Sequence, residues 1–365
     1  MKSLLLFLLS LLLTFNCNCQ IVNLFCKEGF AQNDSSRYTT AIAFFNQAIE
    51  TDPNPAVAFF GRAQAKYGLK DYEGAYQDYC IAINLDSGYT DAYFNRGQML
   101  CLVRRYKDAI DDFTAVLELD SISVKALCAR GNTKTKIKEF ESAIEDFSKA
   151  IGIDPECEEG FKGRCIAENE LGNYTAAFED SNKIIEINSN SYSAFFIRAN
   201  IRKQMGDLPG AVNDYNVAAE INPQDKNVLL NRGLTRSDLK DYDGALLDYS
   251  RAIELDPNSF VAFFNRGITH MNLENYSNAI EDFDQTLIIN PDYALAYFYA
   301  GMANLKRKYY AEANRYFTAY IKKNPDDAEA YYFRGLSKLN MSLQSSGNAD
   351  LRKAREMGYK ENMNQ

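Results

Sequence analysis

Apolar residues recur along this chain with helical spacing, in paired stretches separated by a short polar turn. Residues 90–123 show the unit. Ala92, Tyr93, Gly97 and Leu100, with Arg96 among them, follow one helical face, and Arg104 and Arg105 make the turn. Tyr106, Ala109, Ile110, Phe113 and Leu117 follow a second helical face, which ends at Asp120-Ser121. The unit returns every 34 residues. Arginine marks it at Arg62, Arg96, Arg130, Arg164, Arg198, Arg232, Arg266 and Arg334, with Ala300 at the one missed beat. Alanine marks it at Ala41, Ala75, Ala109, Ala143, Ala177, Ala211, Ala245, Ala279 and Ala313, until Gly347. A strict period of this length predicts an all-α solenoid, in which stacked units share one elongated core.

Framed from Val22, ten units run to Glu361: 22–55, 56–89, 90–123, 124–157, 158–191, 192–225, 226–259, 260–293, 294–327 and 328–361, with 362–365 left as a short tail. Most second helices are expected to stop at a proline, as at Pro53, Pro155, Pro223, Pro257, Pro291 and Pro325. A small residue in the first helix and an aromatic in the second suit two helices that approach closely.

In residues 226–259, Gly233, Tyr242, Ala245, Tyr249, Ala252 and Pro257 carry this pattern, which closely resembles the tetratricopeptide repeat. The resemblance extends over 22–361. It departs at the family's usual first-helix Trp, replaced by residues such as Phe59, Tyr93 and Phe161, and at Cys165, Ser181, Gln344 and Gly347. It implies antiparallel helix pairs stacked in a right-handed superhelix, with a concave face lined by the first helix of each pair. Some members of the family clamp acidic chaperone tails with Lys and Asn on successive first helices. Here only Lys162 stands at such a place, and Ile166 replaces the matching Asn, so that partner is not expected.

Composition changes the picture little: 46% hydrophobic and 24% charged residues make an ordinary globular balance. The net charge is -9 and no basic run is long enough to track phosphates, which argues against nucleic acid. The N-terminus lies outside the repeat. Lys2, the apolar stretch from Leu4 to Leu13, and Cys17 and Cys19 at alternate positions before Gln20 read as a signal peptide over 1–19. Cleavage ahead of Gln20 predicts a secreted or periplasmic protein. The alternative is a lipoprotein tethered through Cys17 or Cys19, and membrane association is expected only in that case. Cys26, Cys80, Cys101, Cys128, Cys157 and Cys165 remain, with no two at obviously facing places and no C-x-x-C.

Each marker arginine has an aspartate 16 residues later: Asp78, Asp112, Asp146, Asp180, Asp214, Asp248, Asp282 and Asp350. Such a pair can form within a unit or between neighbours. The exceptions choose, because Ala300 comes with Tyr316 and Glu28 with Phe44, so each departing unit loses both members together. Ion pairs within units are therefore expected, rather than a ligand-binding row. His270, the single histidine, replaces Lys66, Lys134, Glu168, Arg202, Arg236 and Lys338 of other units and is expected to face solvent. A Ser-His-Asp or Cys-His site would have to use it. There is no H-E-x-x-H, phosphate loop or dinucleotide fingerprint. No enzyme activity, cofactor, metal or small-molecule substrate is expected. The sequons at Asn33, Asn173, Asn275 and Asn340 matter only in a glycosylating host, and Asn173 and Asn275 fit turn positions.

On the expected concave face, the C-terminal units present Leu230, Leu234, Phe264, Ile268, Met271, Phe298, Met302, Leu305, Tyr332, Leu336 and Leu339. Upstream units present more polar residues, such as Gln98, Asn132 and Lys162. Packing between first helices accounts for part of the apolar row. Its Met and aromatic side chains also suit a peptide or helix as ligand. The expected function is an exported scaffold that binds a protein or peptide partner through this face. The alternative is a structural component of an envelope or surface assembly.

Overall fold

The computed structural model describes residues 20–52 and 54–360. The leader with Cys17 and Cys19, Pro53 and the 362–365 tail lie outside the described residues. The described residues form helices and turns, with no strand among them. The chain clusters into two compact units, one up to Ile187 and one from Asn188 onward.

The first unit holds α1 (20–34), α2 (Tyr38–Thr51), α3 (Ala56–Gly68), α4 (Tyr72–Leu85), α5 (Thr90–Leu102), α6 (Tyr106–Leu119), α7 (Val124–Lys136), α8 (Phe140–Ile153), α9 (Glu158–Glu170) and α10 (Tyr174–Ile187). The second holds α11 (Tyr192–Gln204), α12 (Leu208–Ile221), α13 (Lys226–Asp238), α14 (Tyr242–Leu255), α15 (Phe260–Asn272), α16 (Tyr276–Ile289), α17 (Ala294–Lys306), α18 (Tyr310–Lys323), α19 (Ala328–Asn340) and α20 (Gln344–Glu356). Within each unit consecutive helices pack as hairpins. Odd-numbered helices also touch one another: α5 meets α7 and α7 meets α9, while α13, α15, α17 and α19 form a second row.

Two local devices make the hairpin. The first is the turn, where one residue takes positive φ in every repeat: Ser36, Lys70, Arg104, Lys138, Gly172, Gly206, Lys240, Glu274, Lys308 and Ser342. The turn closes with a backbone bond such as Asp71 N–H to Lys66 carbonyl, which satisfies a carbonyl left open at the helix end. Only Gly172 and Gly206 adopt this conformation without steric penalty. Elsewhere the hairpin holds a larger residue there at a cost of about 1–2 kcal/mol. Where aspartate follows, its side chain caps the second helix, as Asp71, Asp207 and Asp241 do for the N–H groups of Gly74, Gly210 and Gly244. Asn275 also stands at that cap position but makes no side-chain capping bond, and Asn173 bonds Glu168 instead.

The second device is close approach. The marker alanines from Ala41 to Ala313 are buried completely, at the face where the paired helices meet. The second-helix aromatic, such as Phe147, is buried beside a first-helix glycine. A Cβ added to Gly131 would lie 2.8 Å from the Phe147 ring, and one on Gly163 in the next repeat would collide with the same ring. The aromatic thus fills space in its own hairpin and in the following one, which couples neighbouring repeats through dense packing. Cys165 is buried at one of these small-residue positions, as its place in the period suggests.

Candidate protein-binding face

All eight arginine–aspartate pairs form within their own repeat. Each guanidinium grips its carboxylate through two nitrogens, with Nη2–Oδ1 distances from 2.5 to 2.8 Å. The second contact, from Nε, is equally well made, for example 2.9 Å in Arg130–Asp146 and 2.7 Å in Arg334–Asp350. The aspartates are buried and the arginines half-buried, so the pair pins the first helix to the second inside the hairpin.

Two further contacts extend this cluster beyond what the sequence suggested. The remaining arginine nitrogen, Nη1, reaches back to the second helix of the preceding repeat. Arg62 meets Asn46 at 2.7 Å, Arg96 the Cys80 thiol at 3.1 Å, Arg130 Thr114 at 3.0 Å and Arg164 Ser148 at 3.1 Å. Arg232 and Arg266 reach Asn216 and Ser250 in the same way. Arginine therefore staples its own hairpin and the one before it. In repeat nine, where Ala300 removes the arginine, the Tyr316 hydroxyl takes over the backward reach and donates to Asp284.

The other contact is a second cation, four residues after the arginine. Lys66, Lys134, Arg202, Arg236 and Lys338 each bond the buried aspartate of their own repeat at 2.7 to 2.9 Å. This corrects the expectation that the position faces solvent. His270 occupies it in repeat eight with a side chain only 13% exposed, Nε2 lying 3.9 Å from Asp282 and Nδ1 buried without a hydrogen-bond partner. Burial holds its pKa below the ordinary histidine value, against the pull of Asp282. The missed signal was the spacing itself: a cation one helical turn after Arg shares its face and must meet the same carboxylate.

The predicted binding residues lie on four adjacent first helices. Leu230 and Leu234 are on α13, Phe264, Ile268 and Met271 on α15, Phe298, Met302 and Leu305 on α17, and Tyr332, Leu336 and Leu339 on α19. None is fully exposed. Ten are half-buried and Phe264, 9% exposed, is buried. Phe264 packs against Phe283, Tyr293 and Tyr299, with ring centroids 4.9 to 5.8 Å apart. Phe298 contacts Phe317 and Tyr320, and Tyr332 stacks on Tyr359 at 4.4 Å. Part of the row is therefore packing within and between repeats.

The first unit has two open clefts on its polar odd-helix face. One, of about 470 Å³, is lined by Asn132, Glu158, Glu159, Lys162, Gly163 and Ile166. The other, also about 470 Å³, includes Tyr67, Gln98, Cys101, Asn132, Lys136 and Glu159. Asn132 and Glu159 border both and are bonded to each other at 3.0 Å. The sequence ranked this region below the apolar row because depth is not written in polarity.

Among the described residues, no group of three or more His, Cys, Asp or Glu side chains is placed to hold a metal ion, and no helix is long and apolar enough to cross a membrane.

An all-α array of helix hairpins, eight of them closed by an arginine–aspartate pair, defines a class of repeat scaffold. Residues 124–157, 227–259, 260–293 and 309–337 match models of the tetratricopeptide repeat. With the same hairpin recurring through the described residues, the chain is a tetratricopeptide repeat protein. Among solved structures it is similar to the C-terminal part of a TPR repeat-containing protein from Cytophaga hutchinsonii, at 19% identity and a TM-score of 0.56, covering 66% of this chain and 98% of that one. It is also similar to a tetratricopeptide repeat protein from Parabacteroides merdae, at 18% identity and a TM-score of 0.53, covering 68% and 98%. These likenesses show the fold. No curated protein matches the sequence.

Proposed function

We propose that this protein is an exported, non-enzymatic scaffold that holds a protein or peptide partner along the odd-helix face of repeats seven to ten. The observation that carries this reading is the row of ten half-buried apolar residues on α13, α15, α17 and α19. Ile268, Met271 and Phe298 pack against buried residues of the second helices yet keep part of their surface open. A preformed, partly open apolar strip lets a ligand bury area without first ordering the receptor. Met271 and Met302 add adaptable contact area, and Tyr332, braced by Tyr359, adds a rigid anchor. Phe264 is packed too deeply to lead the contact and instead sets the floor.

The test substitutes Met302→Gln and Leu336→Gln, both half-buried, and captures partners by crosslinking in native extract. Loss of one specific crosslinked partner with unchanged circular dichroism supports the reading. Retention of every partner overturns it. The polar clefts at Asn132 and Glu159 favour a second reading, in which an extended peptide binds the first unit. Asn132→Ala with Glu159→Ala would then remove the partner while the C-terminal substitutions would not.

Export rests on the leader sequence. Intact mass of the native protein is expected to begin near Gln20 without an acyl group. Diacylglycerol on Cys17 or Cys19 would favour the envelope-tethered alternative.

A further inference from the structure

The fold brings together two cysteines that stand apart in the sequence. Cys128 lies within α7 and is 1% exposed. Cys157 is the N-cap residue of α9 and is 8% exposed. Their sulfur atoms are 3.8 Å apart, inside a buried cluster with Leu127, Ala143, Phe147 and Ala150. The period explains the contact. A first-helix residue and the one 29 positions later are neighbours elsewhere in the array: Phe60 meets Tyr89, and Phe264 meets Tyr293, each with ring centroids 4.9 Å apart. In repeat four both members of this contact pair are cysteine. One small residue would relax the packing; two facing thiols create a bond-forming site.

We propose that Cys128 and Cys157 form a disulfide that ties α7 to the N-terminus of α9. The oxidant is an exchangeable disulfide, either a small molecule such as oxidised glutathione or a protein disulfide donor. Cys157 reacts first. It is the more exposed of the two, and its sulfur accepts the Gly160 N–H at 3.3 Å in the first turn of α9, at the helix end rather than within it. The Cys128 thiol is held protonated by burial and by the neighbouring Cys157. The Cys157 thiol gives its proton to solvent, and the thiolate attacks one sulfur of the donor. That breaks the donor's sulfur–sulfur bond and expels one thiolate. Cys128 then gives its proton to the first expelled thiolate, attacks the Cys157 sulfur of the mixed disulfide and expels the second thiolate, which takes a proton from solvent. Two protein thiols are oxidised and one donor disulfide is reduced to two thiols.

The bond has a mechanical consequence. Asn132 on α7 and Glu158, Glu159 and Lys162 on α9 line the same cleft, and Cys157 immediately precedes its α9 wall. A crosslink at this point sets the spacing of the two walls, so oxidation holds the cleft at one width.

The test treats the folded full chain with oxidised glutathione, quenches in acid, alkylates under denaturing conditions and maps peptides by mass spectrometry. The expected result is one peptide pair joined through Cys128 and Cys157, with Cys26, Cys80, Cys101 and Cys165 alkylated. The oxidised chain should also unfold at higher urea concentration than the same sample after reductant, a difference that Cys157→Ser abolishes. Full alkylation of Cys128 and Cys157 after oxidation, glutathione retained on Cys157 without resolution, or joining to any other cysteine overturns the proposal.

Discussion

Repeats three and ten close their hairpins with the same bidentate pair, yet their aspartates sit in opposite electrostatic situations. In repeat three, Arg96 is the one cation on Asp112, because the second-cation position holds Leu100, which is buried in the core. Burial pushes the Asp112 pKa up, and the Arg96 contact does not bring it back. In repeat ten, burial also pushes Asp350 up, but hydrogen bonds from Arg334 and Lys338 outweigh it and leave its pKa below the ordinary value. The lesson is one of desolvation. In repeat three the single guanidinium does not offset the burial of Asp112, whereas in repeat ten two cations together more than offset that of Asp350.

The comparison can be tested in order of expected effect. Arg96→Ala leaves Asp112 buried with neither of the two cations of repeat ten and is expected to cost about 3–5 kcal/mol. Arg334→Ala leaves Lys338 in place, and its cost should be on the order of 1.5 kcal/mol. Urea unfolding, with hydrogen exchange to localise the loss, measures both, and equal losses would break the contrast. Next in size is Lys338→Leu, which gives repeat ten the pattern of repeat three. A loss of about 1–2 kcal/mol is expected, together with a rise in the Asp350 pKa read by carboxyl-carbon NMR titration. An unmoved Asp350 would mean that Lys338 is electrostatically idle.

Acid should separate the repeats by sign. The Asp350 contribution is full above the unfolded aspartate value of about 3.9 and is lost as pH falls through its lowered folded value. Asp112 holds its proton more tightly folded than unfolded, so its contribution weakens as pH rises from about 3.9 through its raised folded value. Hydrogen exchange, corrected for intrinsic rates, should therefore show α19 and α20 loosening in acid, while acid strengthens the Asp112 contribution in α5 and α6. His270 adds a third behaviour. Its lowered pKa means that stability present above about 6.5 declines as pH falls below that value, and His270→Gln should flatten the slope. The smallest effect belongs to repeat nine. Tyr316→Phe removes the hydroxyl that replaces the missing arginine's backward reach, at an expected cost of about 1 kcal/mol by thermal unfolding.

Much of the hairpin could be read from the chain. The marker alanines, the small residue facing an aromatic, and the within-repeat Arg–Asp pairing all recur at fixed offsets. The paired losses at Ala300 with Tyr316, and at Glu28 with Phe44, even chose between two geometrically open pairings. The second cation was less legible, because Lys66 and its counterparts are polar in a position that alone suggests solvent. Its burial follows from the aspartate on the opposite helix. His270 was misjudged for the same reason. The binding face was half legible. Its residues do lie on first helices, but the depth of Phe264 depends on Tyr293 at the end of its own repeat and on Tyr299 of the next.

Sequence alone therefore determined the repeat, its helix hairpin and the partner of each arginine. These depend on residues that return at the same offset, so periodicity records them directly. Tertiary structure decided which polar side chains are buried, where the third arginine nitrogen reaches, how open the apolar row remains and which two thiols touch. Each of these depends on side chains contributed by a neighbouring helix or repeat, often one that departs from the consensus. Burial and contact are properties of the space between chain segments, and no single segment's pattern contains the other wall.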